Sequence, residues 1–468
     1  MPDAARHIGA RVVVALLSFL VLWVAIHLQP DKRLVDFDQS FYLTIAYDLD
    51  RHGVFSNGVF DNTDSVSRAP PPGMFFGPGY PWLVLGAMKV DPRFAEAVKC
   101  SVEANQGHRD EATCKIYTAP IQIIHALLLA LGVFAIALAG ELLFDSRRVF
   151  RLAAALATVS LLPDADLFSF VMTESLTFGL YGICALILVL AWKTSRSRYV
   201  VLTGGALALL CLTRPSFIVL VPVVAALVFI NDTWLSGVRK QRWTNLLAFG
   251  VAVAAILGPW MARNAISVGK FGLTEEYGSA ALIERFAYDD MTAKEYGLAF
   301  PYCTPGIGDA MFDLVYGNDS MHRFVFHTKD SFFHTGRGRR DTLVKEHGRL
   351  DPLIGRIALE EMRENWWRYL LVSIPLAWCG LWAGWLAGLI TIPLFCWACG
   401  RAVRQSRPLF LLYAVPPLVM LALHAAVANH YTRYNLILIG PFAAGAAWII
   451  SGWTWRAPWR ARAPAPAP

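Results

Sequence analysis

The sequence has little charge for its length. Only 16% of the 468 residues are charged, whereas 56% are hydrophobic and 13% are aromatic. A soluble protein has nearly a quarter of its residues charged, and its apolar residues fall in short periodic groups. Here apolar runs recur at roughly the 20 residues needed to cross a bilayer. The composition therefore excludes a soluble globular protein and predicts an integral membrane protein.

Metal-ligand patterns and internal repeats are lacking as well. The CxxC pair Cys396 and Cys399 lies in an apolar span, with no second pair and no histidine nearby. Cysteines in or beside apolar spans, such as Cys184, Cys211 and Cys379, are interpreted as packing residues. The histidines of the second polar region lack the tight ligand spacing of a metal site, so a solvated basic face is the preferred interpretation there.

Ten apolar segments predict membrane-spanning helices. They lie at about 11–28, 119–143, 150–162, 173–192, 199–213, 216–231, 243–259, 366–400, 409–428 and 434–453. The run at 366–400 is longer than one crossing and contains Pro375, so it predicts an interfacial helix leading into a single span. No small-residue cleavage site follows the first segment, which is therefore expected to be retained.

Two long polar regions separate these spans, at about 30–118 and 260–366. They are predicted to be outer loops that contain interfacial helices, at 38–52 and 81–90 in the first loop. Residues 1–453 would form one all-α transmembrane domain. Residues 454–468 would be a basic and then Ala-Pro-rich cytoplasmic tail.

Basic residues are distributed unequally between the two sides of this topology. With the N-terminus inside, the short outer turns hold only Arg214 and Arg433. The inner turns and the tail hold Arg147, Arg148, Arg151, Lys193, Arg196, Arg198, Arg239, Lys240, Arg242, Arg401, Arg404, Arg407, Arg456, Arg460 and Arg462. Lys and Arg collect on the cytoplasmic side of membrane proteins, so both termini are expected in the cytoplasm of a plasma (inner) membrane protein.

Polar residues gather where the helices reach the outer side. They are Asp36, Asp38, Glu174, Arg214, Arg263, Asn264, His430, Arg433 and Tyr434. Ionisable groups at membrane depth are costly and usually pair with one another or face a cavity. The joint placement of these residues predicts one polar pocket at the outer surface.

Each of these residues also has a structural interpretation. Asp38 precedes a helix and is a candidate N-cap. Glu174 lies where an acid is favoured by the helix dipole. Arg214 and Arg433 are candidates for interface anchors that extend to the lipid headgroups.

The chain resembles a family of polytopic membrane glycosyltransferases, those with the GT-C fold. The matching segments are Asp38-Gln-Ser-Phe-Tyr42, Ala46, His52-Gly53-Val54-Phe55, Gly79-Tyr80-Pro81, Thr173-Glu174-Ser175-Leu176, Leu212-Thr213-Arg214-Pro215, Gly258-Pro259-Trp260, Arg263-Asn264, Arg433-Tyr434 and Pro441. They resemble the protein O-mannosyltransferases and the lipid A aminoarabinose transferase. The resemblance covers roughly residues 11–453 and implies a GT-C-like bundle of about ten transmembrane helices.

The resemblance implies a reaction and a set of site residues. The enzymes transfer a sugar from a polyprenyl-phosphate donor to an acceptor hydroxyl outside the cytoplasm, usually with inversion. The general base would be Asp38, since Tyr42 and Ala46 align with the motif after it. Many relatives begin this motif with two adjacent acids, whereas here a residue separates Asp36 from Asp38. Asp36 is thus the alternative base or a ligand of a divalent metal ion.

The remaining candidates would bind the substrates. Arg214, Arg263 and Arg433 are the cations available for the donor phosphate, because an arginine presents a fork of donors suited to phosphate oxygens. The other predicted substrate-binding residues are Tyr42, Tyr80, Glu174, Asn264, His430 and Tyr434. Lipids, glycans and proteins are all candidate acceptors, and no nucleic-acid partner is expected.

Three cysteines lie in the predicted outer loops, where the environment is oxidising. Cys100 and Cys114 in the first loop are expected to form a disulfide, and Cys303 in the second loop is left unpaired.

Two other classes of protein fit part of this pattern. A transporter or lipid flippase would share the spans, but its ionisable residues usually lie near mid-membrane, often in repeated halves that this sequence lacks. A glycan polymerase or ligase would share the large outer loops, but the acid-led first loop argues against it.

Overall fold

The protein is built from helices that form an all-α multi-pass membrane protein. The computed structural model describes residues 2–36, 38–61, 63–235, 241–308, 315, 317–326, 328–428 and 431–453. Within these ranges no β-strand occurs. Nine helical stretches there are long and apolar enough to cross a membrane, and Ser197–Thr213 is a shorter apolar helix. Together they match the ten predicted spans.

The two long polar regions contain helices of their own. In chain order they are α1 (Pro2–His27), α2 (Gln39–His52), α3 (Gly79–Val90), α4 (Pro92–Asn105), α5 (Ala119–Phe144), α6 (Arg147–Leu161), α7 (Ala165–Ser169), α8 (Glu174–Thr194), α9 (Ser197–Thr213), α10 (Leu220–Ile230), α11 (Arg242–Ser267), α12 (Tyr277–Phe286), α13 (Ala293–Cys303), α14 (Phe332–His347), α15 (Asp351–Leu381), α16 (Gly388–Arg404), α17 (Pro408–Val427) and α18 (Ile439–Ser451). A 3₁₀ segment, Thr432–Leu438, leads into α18. The predicted tail at 454–468 and the turn at 236–240 lie outside the described residues.

Three predicted boundaries are corrected. The span predicted at 150–162 is longer, because α6 continues through a 3₁₀ turn and α7 as far as Ser169. Helix α11 passes through Pro259 and ends at Ser267. Helix α15 likewise passes through Pro375, and the break between α15 and α16 comes near Gly384. A Cβ atom on Gly384 would lie 3.2 Å from the Ser160 side chain, so the chain turns where it touches the end of α6.

Small residues allow the central helices to approach closely. Helix α5 packs against α6 and α8, and α9 packs against α8 and α11. A Cβ atom on Gly182 of α8 would lie 2.9 Å from the backbone of Gly132 of α5. Such backbone proximity is typical of helix pairs in membranes, where small residues replace the hydrophobic driving force. This packing fixes the helix ends that carry the polar residues.

A disulfide is present in each of the two long polar regions. Cys100 and Cys114 are bonded, the pairing that the sequence predicts. A second bond joins Cys303 at the end of α13 to Cys379 of α15. The expectation that Cys303 is unpaired and that Cys379 only packs was therefore wrong, because the second loop folds back onto the outer part of α15.

A fully buried arginine connects the second outer loop to the bundle. Arg285 of α12 donates from Nε to the carbonyl oxygen of Ala425 at 2.9 Å and from Nη1 to Oδ1 of Asp289 at 2.9 Å. Its Nη2 donates to the carbonyl oxygen of Tyr369 at 3.2 Å. The end of α17, which leads to the segment carrying Arg433, is thus fixed by the loop.

Candidate active site

Asp38 faces an arginine from the far end of the chain. It occupies the N-cap position of α2, but its side chain makes no capping hydrogen bond. Instead, Oδ2 of Asp38 accepts a hydrogen bond from Nη2 of Arg433 at 3.3 Å. The capping interpretation is therefore wrong, and 45% of the Asp38 side chain remains accessible.

The neighbouring Gln39 fixes the start of α2. Its buried side chain donates from Nε2 to the carbonyl oxygen of Arg33 at 2.5 Å. Its Oε1 accepts from the backbone N–H of Val171 at 3.2 Å. Val171 lies three residues before Glu174, so this contact sets Asp38 beside the N-terminus of α8.

Two arginines share the buried carboxylate of Glu174. Arg214 Nη2 lies 3.9 Å from Glu174 Oε1, and Arg433 Nε lies 4.0 Å from the same oxygen. Only 3% of Glu174 is exposed. Both guanidinium groups also approach the Tyr434 ring, at 4.9 Å for Arg214 and 5.2 Å for Arg433. The helix ends at Glu174, Arg214 and Arg433 therefore meet in one ionic cluster with Asp38.

This cluster has hydrogen-bonding capacity that its own members do not use. Within the described ranges, the Arg214 side chain makes no hydrogen bond, and Oε2 of Glu174 is buried without a partner. Arg214 and Arg433 are only 14% and 28% exposed, so they turn inward and do not act as headgroup anchors. A guanidinium carries five N–H donors, and most of those here are available to an anion.

Two phenols, the partly buried Tyr42 and the fully buried Tyr80, lie next to each other in the helices that follow Asp38. The Tyr42 ring packs edge-on against Tyr80, with 5.0 Å between centroids. Burial raises the pKa of both phenols well above the usual range, and the charge of Asp38 raises the pKa of Tyr42 further. The Tyr80 hydroxyl lies 2.9 Å from Nε2 of His125, whose Nδ1 lies 2.9 Å from the carbonyl oxygen of Phe168. That carbonyl only accepts, so Nδ1 carries the proton and Tyr80 donates to Nε2.

Glycines bring the loop onto the end of α9. A Cβ atom on Gly77 would lie 2.2 Å from the carbonyl oxygen of Leu212, and one on Gly79 would lie 2.7 Å from Oγ1 of Thr213. No other residue allows this approach. The predicted Gly79-Tyr80 segment is therefore fixed directly beside Arg214.

Arg263 and Asn264 bind loop backbone instead of the ionic cluster, Arg263 in the first loop and Asn264 in the second. Arg263 donates from Nη1 to the carbonyl oxygen of Gly73 at 2.6 Å and from Nη2 to that of Phe55 at 2.9 Å. Asn264 donates to the carbonyl oxygen of Gly272 at 2.8 Å. Because α11 continues past Pro259, both side chains emerge from its last turns and bind loop backbone.

Asp36 also points elsewhere. It lies 3.9 Å from Arg33, and Arg33 in turn binds Glu111 of the first outer loop. The two acids of the motif therefore have different partners, and Asp38 is the one within the cluster. The predicted site residue His430 lies outside the described residues.

One group of carboxylates in the described part of the chain has the spacing of a metal site, namely Glu275, Glu276 and Asp351. Their oxygens already accept hydrogen bonds. Glu276 accepts from the backbone N–H groups of Leu350 and Asp351 at 2.6 and 3.2 Å, while Asp351 accepts from that of Glu276 at 3.0 Å. The two acids cap each other's helices, α15 and α12, and this arrangement accounts for the cluster.

Tyr277 is a candidate site residue that was not predicted from the sequence. It comes from the second outer loop and begins α12. Its ring packs against Phe75 and Phe76 of the first loop, and its phenol lies within electrostatic reach of Asp38, Arg214 and Arg433. No motif or helical period marks this residue, because only the folded loop brings it to the cluster.

Comparison with known proteins adds a structural likeness. No protein-family model matches the sequence, and no curated protein sequence matches it. The chain is similar to the crystal structure of ArnT from Cupriavidus metallidurans bound to undecaprenyl phosphate, with 14% identity and a TM-score of 0.39. The similarity covers 93% of this chain and 78% of that chain.

Proposed function

We propose that this chain is a GT-C-type glycosyltransferase that moves a sugar from a polyprenyl-phosphate donor to an acceptor hydroxyl. The observation that carries the proposal is the pairing of Asp38 with Arg433, in one cluster with Arg214 and Glu174. The Asp38 carboxylate lies beside two guanidinium groups that have N–H donors available. Together they supply a base and an anion site within one pocket. These are also the residues on which the sequence resemblance depends.

The proposed reaction is one inverting displacement. The acceptor oxygen attacks the anomeric carbon, and Asp38 takes the proton of the acceptor hydroxyl. The bond between the anomeric carbon and the phosphate oxygen breaks, and its electron pair leaves with polyprenyl phosphate. The lipid phosphate thereby gains one negative charge. Arg214 and Arg433 stabilise that charge where it develops.

Donor binding would also prepare the base. In the structure, Arg433 binds Asp38 and both arginines share Glu174. A donor phosphate competes with these carboxylates for the guanidinium groups. When Arg433 turns to the phosphate, Asp38 is released to accept the proton of the acceptor. Glu174, buried behind both arginines, keeps them in place.

The active site would face the extracytoplasmic side of the plasma (inner) membrane. The positive-inside distribution supports this orientation. So do the two disulfides, which both lie in the outer loops on the side of the cluster and require an oxidising compartment. Both termini would then be cytoplasmic.

The proposal is tested with purified protein in lipid nanodiscs and a panel of polyprenyl-phosphate sugars. The expected result is sugar-dependent release of polyprenyl phosphate in the presence of membrane glycolipid acceptors. If the protein instead moves labelled polyprenyl-phosphate sugars across the bilayer of proteoliposomes without releasing the phosphate, it is a flippase and the proposal is wrong. Mass spectrometry of surface glycolipids with and without the protein would identify the sugar and the acceptor.

A further inference from the structure

Tyr277 lies at the boundary between the ionic cluster and an aromatic wall of the first loop. Its ring meets Phe75 edge-on with 5.6 Å between centroids and lies 5.9 Å from Phe76. Phe76 in turn contacts Tyr42, with centroids 5.2 Å apart. The rings of Phe75, Phe76 and Tyr277 therefore form a continuous aromatic group, which we name the aromatic wall, and it adjoins Tyr42 in the helix that begins after Asp38.

The second loop places Tyr277 through a dedicated set of contacts. Glu275, two residues earlier, donates its backbone N–H to the carbonyl oxygen of Met74 at 3.1 Å. Glu276 adopts a left-handed conformation with φ of 66°, which is uncommon and costly for a residue with a side chain. The reciprocal capping by Glu276 and Asp351 holds that conformation. The conformation of Glu276 sets the direction of the Tyr277 side chain, which follows it in the chain.

The Tyr277 ring is enclosed by neighbours yet partly open. It retains 41% of its accessible surface, although Phe75 and Phe76 pack against it. A tyrosine of the core would be fully buried. Part of the Tyr277 ring is therefore free to contact a ligand.

We propose that the aromatic wall is the subsite for the transferred sugar, and that Tyr277 is its specificity-determining residue. This inference rests on the proposed function. In the donor, the sugar is bonded directly to the phosphate, so a phosphate between Arg214 and Arg433 places the sugar ring next to Tyr277. The C–H face of a sugar ring is apolar and packs against aromatic rings, whereas its hydroxyls hydrogen-bond at the edges. The lipid phosphate itself binds to the arginines and not to the wall.

The experiment compares binding and turnover by wild type, Tyr277→Ala and Tyr277→Phe in nanodiscs. Two probes are used: a polyprenyl-phosphate sugar that is turned over, and bare polyprenyl phosphate. Tyr277→Ala is expected to raise KM for the sugar donor about tenfold, equivalent to about 1.4 kcal/mol, and to reduce the preference among different sugars. Its affinity for bare polyprenyl phosphate is expected to stay within about twofold of wild type, a difference under about 0.5 kcal/mol. Tyr277→Phe keeps the ring and should resemble wild type.

Tyr296→Ala is the matched control. Tyr296 lies in α13 of the same loop, where it packs on Phe300. This variant should leave KM and the sugar preference unchanged. Equal weakening of sugar donor and bare lipid phosphate by Tyr277→Ala, or an unchanged KM, would overturn the inference. So would a Tyr277→Phe variant as impaired as Tyr277→Ala. Each of these outcomes requires an active wild type, so they differ from failure of the proposed function, in which wild type turns over no donor.

Discussion

Asp38 and Arg433 form an ion pair although 395 residues separate them in the chain. The Asp38 Oδ2 and Arg433 Nη2 atoms are 3.3 Å apart, and Arg433 also lies within 4.0 Å of Glu174. The pair connects the two ends of the bundle, because it joins the segment after the first span to the segment before the last span. The proposed chemistry requires both ends of the chain to be folded together.

Arg433 is expected to contribute directly to transfer. Arg433→Gln removes a cation from the leaving phosphate and should lower kcat/KM by about 10²–10³-fold. Arg433→Lys keeps the charge but loses the fork of donors, and should retain intermediate activity. The measurement is steady-state transfer by protein that elutes as a single folded species. Arg93→Gln, at an exposed arginine of the first loop, is the control and should behave as wild type. Wild-type turnover by Arg433→Gln would exclude Arg433 from the site.

Arg263 is expected to act through the fold. Arg263→Gln loses the hydrogen bonds to the carbonyl oxygens of Gly73 and Phe55, which should cost about 1–3 kcal/mol and lower the midpoint of thermal unfolding. Affinity for bare polyprenyl phosphate, measured on the folded protein, should be unchanged. A loss of phosphate affinity as large as that of Arg433→Gln would return Arg263 to the phosphate site.

The two disulfides are expected to stabilise the outer loops to different extents. The Cys303–Cys379 bond encloses 76 residues of sequence and the Cys100–Cys114 bond encloses 14. Replacement of each pair by serine should cost about 4 and about 3 kcal/mol, respectively, on a loop-entropy estimate. Peptide mass spectrometry of unreduced protein should detect both links. Cys184 and Cys211 are free in the structure and should be detected as free thiols. Free thiols at Cys303 and Cys379 as well would contradict the second link.

The Glu276–Asp351 pair is expected to serve helix capping. Glu276→Ala and Asp351→Ala should each cost about 1 kcal/mol of stability. The double variant should cost less than the sum, because each residue caps the helix of the other. The exposed Glu346→Ala is the control variant and should leave stability unchanged. A metal chelator should leave the unfolding temperature of wild type unchanged. A fall in unfolding temperature on chelation would instead identify a bound cation.

The sequence allowed the span count and most of the cluster to be predicted, because long apolar runs and the residues at their ends are local signals. Asp38, Glu174, Arg214 and Arg433 were identified in this way. Arg263 was grouped with them because it follows the span predicted at 243–259, whereas the helix continues to Ser267 and Arg263 binds loop backbone.

Features that depend on the folded outer loops could not be predicted. Tyr277 lies in a polar region without periodicity. Its neighbours come from the first loop, from the end of α9 and from the segment that precedes α18. Cys379 lies in an apolar run, so its bond to Cys303 had no sequence signal. Pro375 was interpreted as the interruption of the run at 366–400. The helix instead breaks near Gly384, where the chain contacts the end of α6.

The central claim is that Asp38 is the general base, and the most direct measurement compares Asp38→Asn with Asp36→Asn. Both variants remove one negative charge from the same motif and leave side-chain volume nearly unchanged. Transfer from a polyprenyl-phosphate sugar is measured with each variant, together with binding of bare polyprenyl phosphate and thermal unfolding. The account predicts that Asp38→Asn folds and binds the lipid phosphate but transfers no sugar, whereas Asp36→Asn remains active. Full activity in Asp38→Asn, or loss of activity only in Asp36→Asn, would contradict it.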